Sequence, residues 1–310
     1  GVFSSDGEAG NMRGARDGAT YYVDGVRVIG SATVPQSAID QVEVLLSGTP
    51  AMYGDATGGI INMTTKGPSR TFGAGIELET SELLDGYGHN RAGLNVQGPL
   101  IKGKNSETAL LGFFLSGEFN YDRDGALSAV GHYKATDQWL KDIKENPIRG
   151  SGSGQGTYLN GEYTRMGSME YIKNSQNTSN WSANIAGNIN VRTTETTNLT
   201  FGGTFNLSKY NAYSRSSAYF NSAKNAVGKD QTWRVYGRFT QRFPTPQEST
   251  SLIKNFYYSL QVDYERYNSE SGDPDHWDNI WDYGYLGKYT IHKTPSYGYA
   301  DSTIAVKDPA

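Results

Sequence analysis

Val42-Glu-Val-Leu-Leu-Ser-Gly-Thr-Pro-Ala-Met-Tyr-Gly-Asp-Ala-Thr-Gly-Gly-Ile-Ile-Asn-Met-Thr-Thr-Lys66 reads as two short strands joined by a glycine-rich connection. The first, Val42 to Leu46, is apolar and partly β-branched, the composition of a covered strand. The second, Gly59 to Thr65, sets Ile60, Asn62 and Thr64 on one face and Ile61, Met63 and Thr65 on the other. Between them Gly48, Pro50, Gly54, Gly58 and Gly59 allow the turns and close backbone approaches that a Cβ would obstruct. The residues before this stretch read as a compact module, and those after it as a run of long strands.

Within the module, Tyr21-Tyr-Val-Asp-Gly-Val-Arg-Val28 carries an Asp24-Gly25 pair between apolar runs, a strong hairpin signal. Val34-Pro-Gln-Ser-Ala-Ile-Asp-Gln41 predicts a short helical turn with Pro35 at its first position. Together these make a small α+β unit with a modest core.

From Thr71 onward the pattern becomes long and alternating. Phe72, Ala74, Ile76 and Leu78 oppose Gly73, Gly75, Glu77 and Glu79; Ala92, Leu94, Val96 and Leu100 oppose Gly93, Asn95 and Gln97. Leu111, Phe113, Leu115, Phe119 and Tyr121 oppose Ser116, Glu118 and Asn120. Trp181, Ala183, Ile185, Ile189 and Val191 oppose Ser182, Asn184, Asn188, Asn190 and Arg192, and Leu199, Phe201, Phe205 and Leu207 oppose Thr200, Thr204 and Asn206. Trp233, Val235, Phe239 and Phe243 oppose Arg234, Arg238 and Arg242, and Phe256, Tyr258, Leu260, Val262 and Tyr264 oppose Ser259, Gln261, Asp263 and Glu265. Each run approaches the roughly 9–11 residues a tilted strand needs to cross a bilayer. Tyr283 to Ile291 is a weaker eighth.

Connections alternate too. Lys102–Glu107, Arg192–Thr197 and Pro244–Ser251 are short; Arg123–Thr178, Tyr210–Asp230 and the segment after Asn268 are long, with Ser81–Asn90 the shortest on that side. Short inner turns and longer outer loops are the rhythm of outer-membrane barrels, and the aromatics Tyr121, Trp181, Tyr210, Trp233, Phe243 and Tyr267 at strand ends suit the girdles at the two interfaces. A soluble β-sandwich also alternates, but its strands are shorter and its links short on both sides.

A sheet in lipid cannot leave its edges open, so seven or eight strands would close only into a narrow barrel filled by its own side chains. The 65-odd residues ahead would not fit inside one, whereas barrels that hold such a plug have about 22 strands. The expectation is therefore a membrane all-β protein: part of a 22-stranded antiparallel transmembrane barrel with a small α+β plug, residues 1–68 forming the plug portion and 69–310 the first wall strands. Gly1-Val-Phe-Ser-Ser-Asp has neither an initiator Met nor a leader's basic and apolar regions, so the chain is expected to start in mid-domain.

Composition agrees and excludes other classes. The 310 residues include 38 glycines and 22 tyrosines but no cysteine, which removes disulfides and thiolate metal sites. A net charge of −4 leaves no nucleic-acid footprint. The longest apolar run, Ala109 to Leu115, is strand-sized against the roughly 20 residues of a membrane-spanning helix.

Met12-Arg-Gly14, Tyr22-Val-Asp-Gly25, Ile39-Asp-Gln-Val-Glu-Val44 and Tyr53-Gly-Asp-Ala-Thr-Gly-Gly-Ile-Ile-Asn-Met-Thr-Thr-Lys66 resemble the ordered plug motifs of TonB-dependent outer-membrane receptors. The plug resembles the branch that often carries a carboxypeptidase-regulatory-like domain at the N-terminus. Ser47-Gly-Thr-Pro50 stands where that family more often has Arg-Gly-Pro. The resemblance implies a Gram-negative outer-membrane receptor that imports a siderophore, vitamin, glycan or peptide. Its implied partners are TonB, with the inner-membrane complex that energises it, and the outer-membrane lipids. It also implies a plug–barrel latch of Arg13, Arg16 and Glu43, and plug-motif roles for Gly14, Asp24, Gly25, Tyr53, Gly54, Gly58, Gly59 and Asn62.

Two other readings compete. Long loops suit a structural partner in an outer-membrane complex, a surface lipoprotein included, and a soluble β-rich binding protein is the third. Tyr210, Tyr213, Arg215, Trp277 and Trp281, in aromatic and amide-rich loops, are the ligand-contact candidates.

The residues present no catalytic constellation and no resident cofactor is expected, so the chain is not read as an enzyme. His89, His132, His276 and His292 are scattered, away from any metal-ligand spacing. Asp273-Pro-Asp-His-Trp-Asp278 matches no calcium loop, and Gly150-Ser-Gly-Ser-Gly-Gln-Gly156 lacks the lysine of a phosphate loop. Ala135–Asn146 predicts a short helix with Trp139, Leu140 and Ile143 on one face.

Overall fold

A computed structural model describes residues 2–3, 11–12, 19–29, 33–46, 53, 59–102, 109–125, 128–152, 156–245 and 255–279. The chain divides into two compact units, Gly1–Pro274 and Asp275–Ala310. Among the described residues, all the sheets lie in the first.

A short antiparallel pair, β1 (Val2–Phe3) and β2 (Asn11–Met12), comes first. Then β3 (Thr20–Val23), β4 (Val26–Arg27), β5 (Ile39–Leu45) and β6 (Ile60–Thr65) form a sheet in the order β4-β3-β6-β5. The predicted hairpin joins β3 to β4. Asp24 and Gly25 have φ of 52° and 80°, the double left-handed turn that follows the twist of the strands. β6 runs parallel to β3 and antiparallel to β5, and Gly59 enters it at φ 118°, open only to glycine at low cost. The turn after Pro35 is one turn of 3-10 helix over Gln36–Ala38, with Pro35 capping it rather than occupying its first position. Val42 and Val44 stand half exposed on β5, which ends the sheet; the sequence predicted a covered strand.

The wall comes next. β7 (Gly73–Thr80), β8 (His89–Lys102) and β9 (Ala109–Asp122) lead into a folded excursion of β10 (His132–Ala135), α1 (Asp137–Glu145), β11 (Ile148–Gly150), β12 (Thr157–Leu159) and β13 (Met169–Ile172). The chain returns as β14 (Asn180–Arg192), β15 (Thr197–Asn211), β16 (Val227–Phe243) and β17 (Phe256–Gly272). The sheet order β17-β16-β15-β14-β9-β8-β7 is an uninterrupted antiparallel meander, as an up-and-down barrel wall requires. All seven predicted strands are present; the eighth, Tyr283 to Ile291, lies outside the described residues.

Alternation sorts the two faces. On β14, Asn184 and Asn188 are 2% and 6% exposed, while Ile185 and Ile189 are 46% and 44% exposed. The buried polar face looks onto the plug sheet and the apolar face outward, the arrangement lipid demands. Tyr121, Trp181, Trp233 and Phe243 share the outward parity, with Phe119 against Trp181 and Trp233 against Tyr264 at ring distances of 6.1 and 5.1 Å. Tyr210 and Tyr267 have the opposite parity and belong to the lumen, not to the girdle. No helix of the described residues is long and apolar enough to cross a membrane.

α1 begins two residues inside the predicted span and ends one residue short of its close, with Thr136 Oγ1 accepting from the Trp139 N–H. Gly150–Gly156 bridges β11 and β12, so the glycine-rich run is a hairpin connection; residues 153–155 of it are outside the described set.

Candidate functional site

The plug sheet meets the inner wall through four polar contacts around one small apolar centre. Val34 and Ala38 from the 3-10 turn pack on Phe114 of β9 and Ala186 of β14, all but Val34 fully buried. Beside them Ser37 Oγ and Ser116 Oγ lie 2.7 Å apart, and the Gln36 N–H donates to Glu118 Oε2 at 3.0 Å. Arg91 holds Glu79 at 2.7 Å and approaches Glu118 at 3.7 Å, so the carboxylate that receives the plug is itself countered from the wall.

The second contact centres on Asp24. Its Oδ1 accepts from the Thr65 N–H and its Oδ2 from Thr65 Oγ1, both at 2.8 Å, which ties the hairpin tip to the end of β6. Tyr236 OH donates to Asp24 Oδ2 at 3.2 Å, and Arg238 donates from Nη2 to the Asp24 carbonyl. Tyr236 reaches that position because Gly202, opposite it on β15, carries no Cβ to displace the ring. The third contact is the Asn188 amide, which donates to the Lys66 carbonyl at 2.8 Å.

The fourth joins Arg234 and Glu265, 3% and 6% exposed, by two hydrogen bonds of 2.9 and 3.2 Å. Glu265 also accepts from the Ile29 N–H of the plug at 3.2 Å, and Arg234 donates to Thr204 Oγ1. A charge pair this deeply enclosed persists because every partner is hydrogen-bonded. Arg234 and Arg238, on the polar face of this strand, therefore face the plug, while Arg242 on the same face is exposed at the short-turn end.

Two hollows flank these contacts. One of about 310 Å³ lies between plug and wall toward the long loops, edged by Ile29, Thr33, Asn206, Asp230, Arg234 and Tyr267. Its lining is largely hydroxyl and amide. The other, about 670 Å³, sits among the long loops between His132, Tyr133, Ser175, Tyr213, Arg215 and Tyr219. There the His132 ring is 6.2 Å from that of Tyr213, and Ser175 Oγ is 3.0 Å from His132 Nε2. The Asp124 carboxylate, 4% exposed, accepts from the Ser175 N–H and from Thr178 Oγ1, and the Asn225 amide donates to the Asn177 carbonyl. The Asp124 bonds close the loop between β9 and β14 on itself, and the Asn225 bond joins it to the loop between β15 and β16.

Of the ligand-contact candidates, Tyr213 and Arg215 line the loop hollow together. Tyr210 lies on the lumen face at the mouth, its ring packed on Gly228. Trp277 belongs to the turn at 274–278 in the second unit, and Trp281 lies outside the described residues. Among the plug-motif residues, Asp24, Gly25 and Gly59 make the turns described, and Tyr53 stacks edge-on against Tyr22 at 4.8 Å. Burial first, then the Glu43 carboxylate and Tyr22, push the Tyr53 phenol up from its ordinary pKa. Asn62 Oδ1 is buried without a hydrogen-bond partner among the described residues. Gly14, Gly54 and Gly58 lie outside those residues, as do Arg13 and Arg16 of the expected latch; Glu43 stands exposed on β5. The wall residues Tyr236, Glu265 and Glu118 were not singled out as site residues. Their signal was inward parity alone, which says that a polar side chain faces the lumen but not what it meets.

His89 Nδ1 lies 2.6 Å from Asp122 Oδ1, and among the described residues no group of three or more His, Cys, Asp or Glu could hold a metal ion.

Compared with known proteins, the chain is 32% identical over 127 residues to the probable TonB-dependent siderophore receptor PirA of Acinetobacter baumannii, a match covering 40% of this chain. The chain is a relative of the TonB-dependent receptors. No family model matches it. Solved structures similar to it include the siderophore receptor PirA from Pseudomonas aeruginosa, with 16% identity, 88% of this chain and 46% of that one covered and a TM-score of 0.43. Another is the ferripyoverdine receptor of the outer membrane of Pseudomonas aeruginosa bound to ferripyoverdine, with 14% identity, 89% and 39% covered and a TM-score of 0.41. The match spans 16% of the curated relative, and the chain less than half of either solved receptor.

Proposed function

We propose that this chain is part of an outer-membrane receptor that imports a siderophore-type ligand, with TonB supplying the work. The observation that carries the reading is the hydrogen-bonded seating of the plug on the polar face of the wall, with hollows on the long-loop side. Ligand would enter past Tyr213 and Arg215, reach the lumen mouth at Tyr210, and meet the plug near Ile29. Residues 1–68 act as plug and 69–310 as wall. Arg13, Arg16 and Glu43 belong to an ionic latch between plug and barrel, and the receptor carries out no catalytic step.

The test uses the full-length receptor in whole cells and in detergent. Uptake of a ferric siderophore that requires both receptor and TonB, and direct binding of that siderophore by the purified receptor, are the expected results. Binding of no ferric siderophore, or uptake unchanged when the receptor is deleted, overturns it. The folded excursion 128–179 favours a second reading, a surface platform for another outer-membrane protein or lipoprotein. Co-purification of a stoichiometric partner with the receptor, lost when that excursion is removed, would support it.

A further inference from the structure

Two charged side chains, Arg234 and Asp230, line the hollow of about 310 Å³ between plug and wall, and only one of them is answered from the protein. Arg234 spends Nε and Nη2 on Glu265 and Nη1 on Thr204 Oγ1, so its charge is neutralised and its donors are engaged. Asp230 differs. Its Oδ1 accepts from Ser269 Oγ, opposite it in the ladder, at 2.6 Å, and from Tyr267 OH at 3.2 Å. Both donors are neutral. Among the described residues Asp230 forms no ion pair, and its Oδ2 receives no hydrogen bond. A carboxylate accepts about four hydrogen bonds, so roughly half of that capacity is open.

The rest of the lining adds hydroxyls and acceptors rather than cations. Asn206 donates from Nδ2 to Asn184 Oδ1, which leaves its own Oδ1 as an acceptor. The hollow therefore holds one uncompensated negative charge on a half-buried side chain, where Coulomb attraction is screened less than in bulk water. Such a site suits a group that brings positive charge together with several N–H donors, and an ammonium has three. A polyanion meets a like charge there, which selects against it. The volume stands at the low end of the roughly 300–1,000 Å³ of small-molecule pockets, enough for one arm of a hexadentate chelate.

We propose that this hollow receives a protonated amine arm of the imported ligand, with Asp230 as its counter-charge and Asn206 Oδ1 as a second acceptor. The substrate class is then a siderophore-type chelate with a cationic arm, not a polyanionic one. This assignment rests on the importer reading above.

The test takes the full-length receptor in mild detergent and measures binding of three ferric chelates by calorimetry. They are a linear trishydroxamate ending in a free primary amine, the same chelate N-acetylated, and a polyanionic tricatecholate. The amine-bearing chelate is expected to bind about ten-fold more tightly than its acetylated twin. Asp230→Asn is expected to erase that difference by weakening the amine-bearing chelate alone. The substitution keeps the side chain's shape, and retained heat-modifiability in gels identifies folded barrels. If the variant fails to fold, the comparison of the two hydroxamates on wild type carries the test. Equal binding of the two hydroxamates, weakening of both alike by D230N, or binding of the tricatecholate alone overturns the amine site and leaves the importer reading standing. Binding of none of the three overturns both.

Discussion

The phenol of Tyr236, on the inner wall, donates to Asp24 Oδ2 at the tip of a plug hairpin 212 residues away in the chain. The same carboxylate accepts two hydrogen bonds from Thr65, so a single acidic side chain closes the hairpin internally and fastens it to the barrel.

Removing the phenol oxygen alone costs one hydrogen bond, whereas removing the carboxylate strands several donors. Tyr236→Phe is expected to destabilise plug seating by about 0.5–1.5 kcal/mol and Asp24→Ala by more, on the order of 1–3 kcal/mol for the donors left unpaired. Hydrogen exchange at the Thr65 amide separates them: D24A exposes it, and Y236F leaves it protected.

Gly202 makes the same point from the other side. A Cβ there would come within 2.6 Å of the Tyr236 ring, which is 8% exposed and has no room to retreat. Gly202→Ala is therefore expected to reproduce Y236F rather than a generic strand defect. A double variant no less stable than either single one, read from denaturant unfolding of the plug, would show that they act through one contact.

Arg234 and Glu265 are buried together, and losing one leaves the other charged in a closed site. Arg234→Met is expected to cost about 3–5 kcal/mol, and adding Glu265→Leu to recover most of it. Thermal unfolding of the two variants decides this. Exchange at the Ile29 amide should rise whenever Glu265 is replaced, because its carboxylate accepts that N–H.

Two loop groups predict opposite pH responses. The Tyr87 N–H bonded to Asp85 holds that carboxyl below the usual carboxylate range. A depressed acid stabilises above its unfolded pKa and loses that contribution as pH falls through the folded value, so exchange at Tyr87 is expected to quicken in acid. The hydrogen bond from Lys134 to Glu170, at 2.6 Å, raises the lysine. Its contribution is complete below the ordinary lysine pKa and disappears as pH rises through the raised one, so the β10–β13 pairing is expected to loosen in strong alkali.

Much of this was legible before any coordinates. The period-two alternation of Trp181–Arg192 or Phe256–Glu265 is written in consecutive residues, and so is the rhythm of short and long connections. Asp24-Gly25 announced its own turn because the left-handed conformation is a property of those two residues. Thr136 to Glu145 announced its helix by the spacing of Trp139, Leu140 and Ile143. The sequence misjudged β5 because an apolar run says that a strand exists, not that both its sides are covered. It assigned Tyr210 and Tyr267 to the girdle because an aromatic at a strand end looks the same whichever way it points.

The sequence by itself determined the strands, their two faces and the turn that tips the plug, since each is set by residues within a few positions of one another. Only the tertiary structure decided that Tyr236 meets Asp24, that Glu265 holds Ile29, that Phe114 turns inward onto Ala38, and that His132 and Tyr213 share one hollow. Those pairings depend on strand register and on where the plug sits against the wall, and both emerge from the summed packing of distant segments rather than from any local signal.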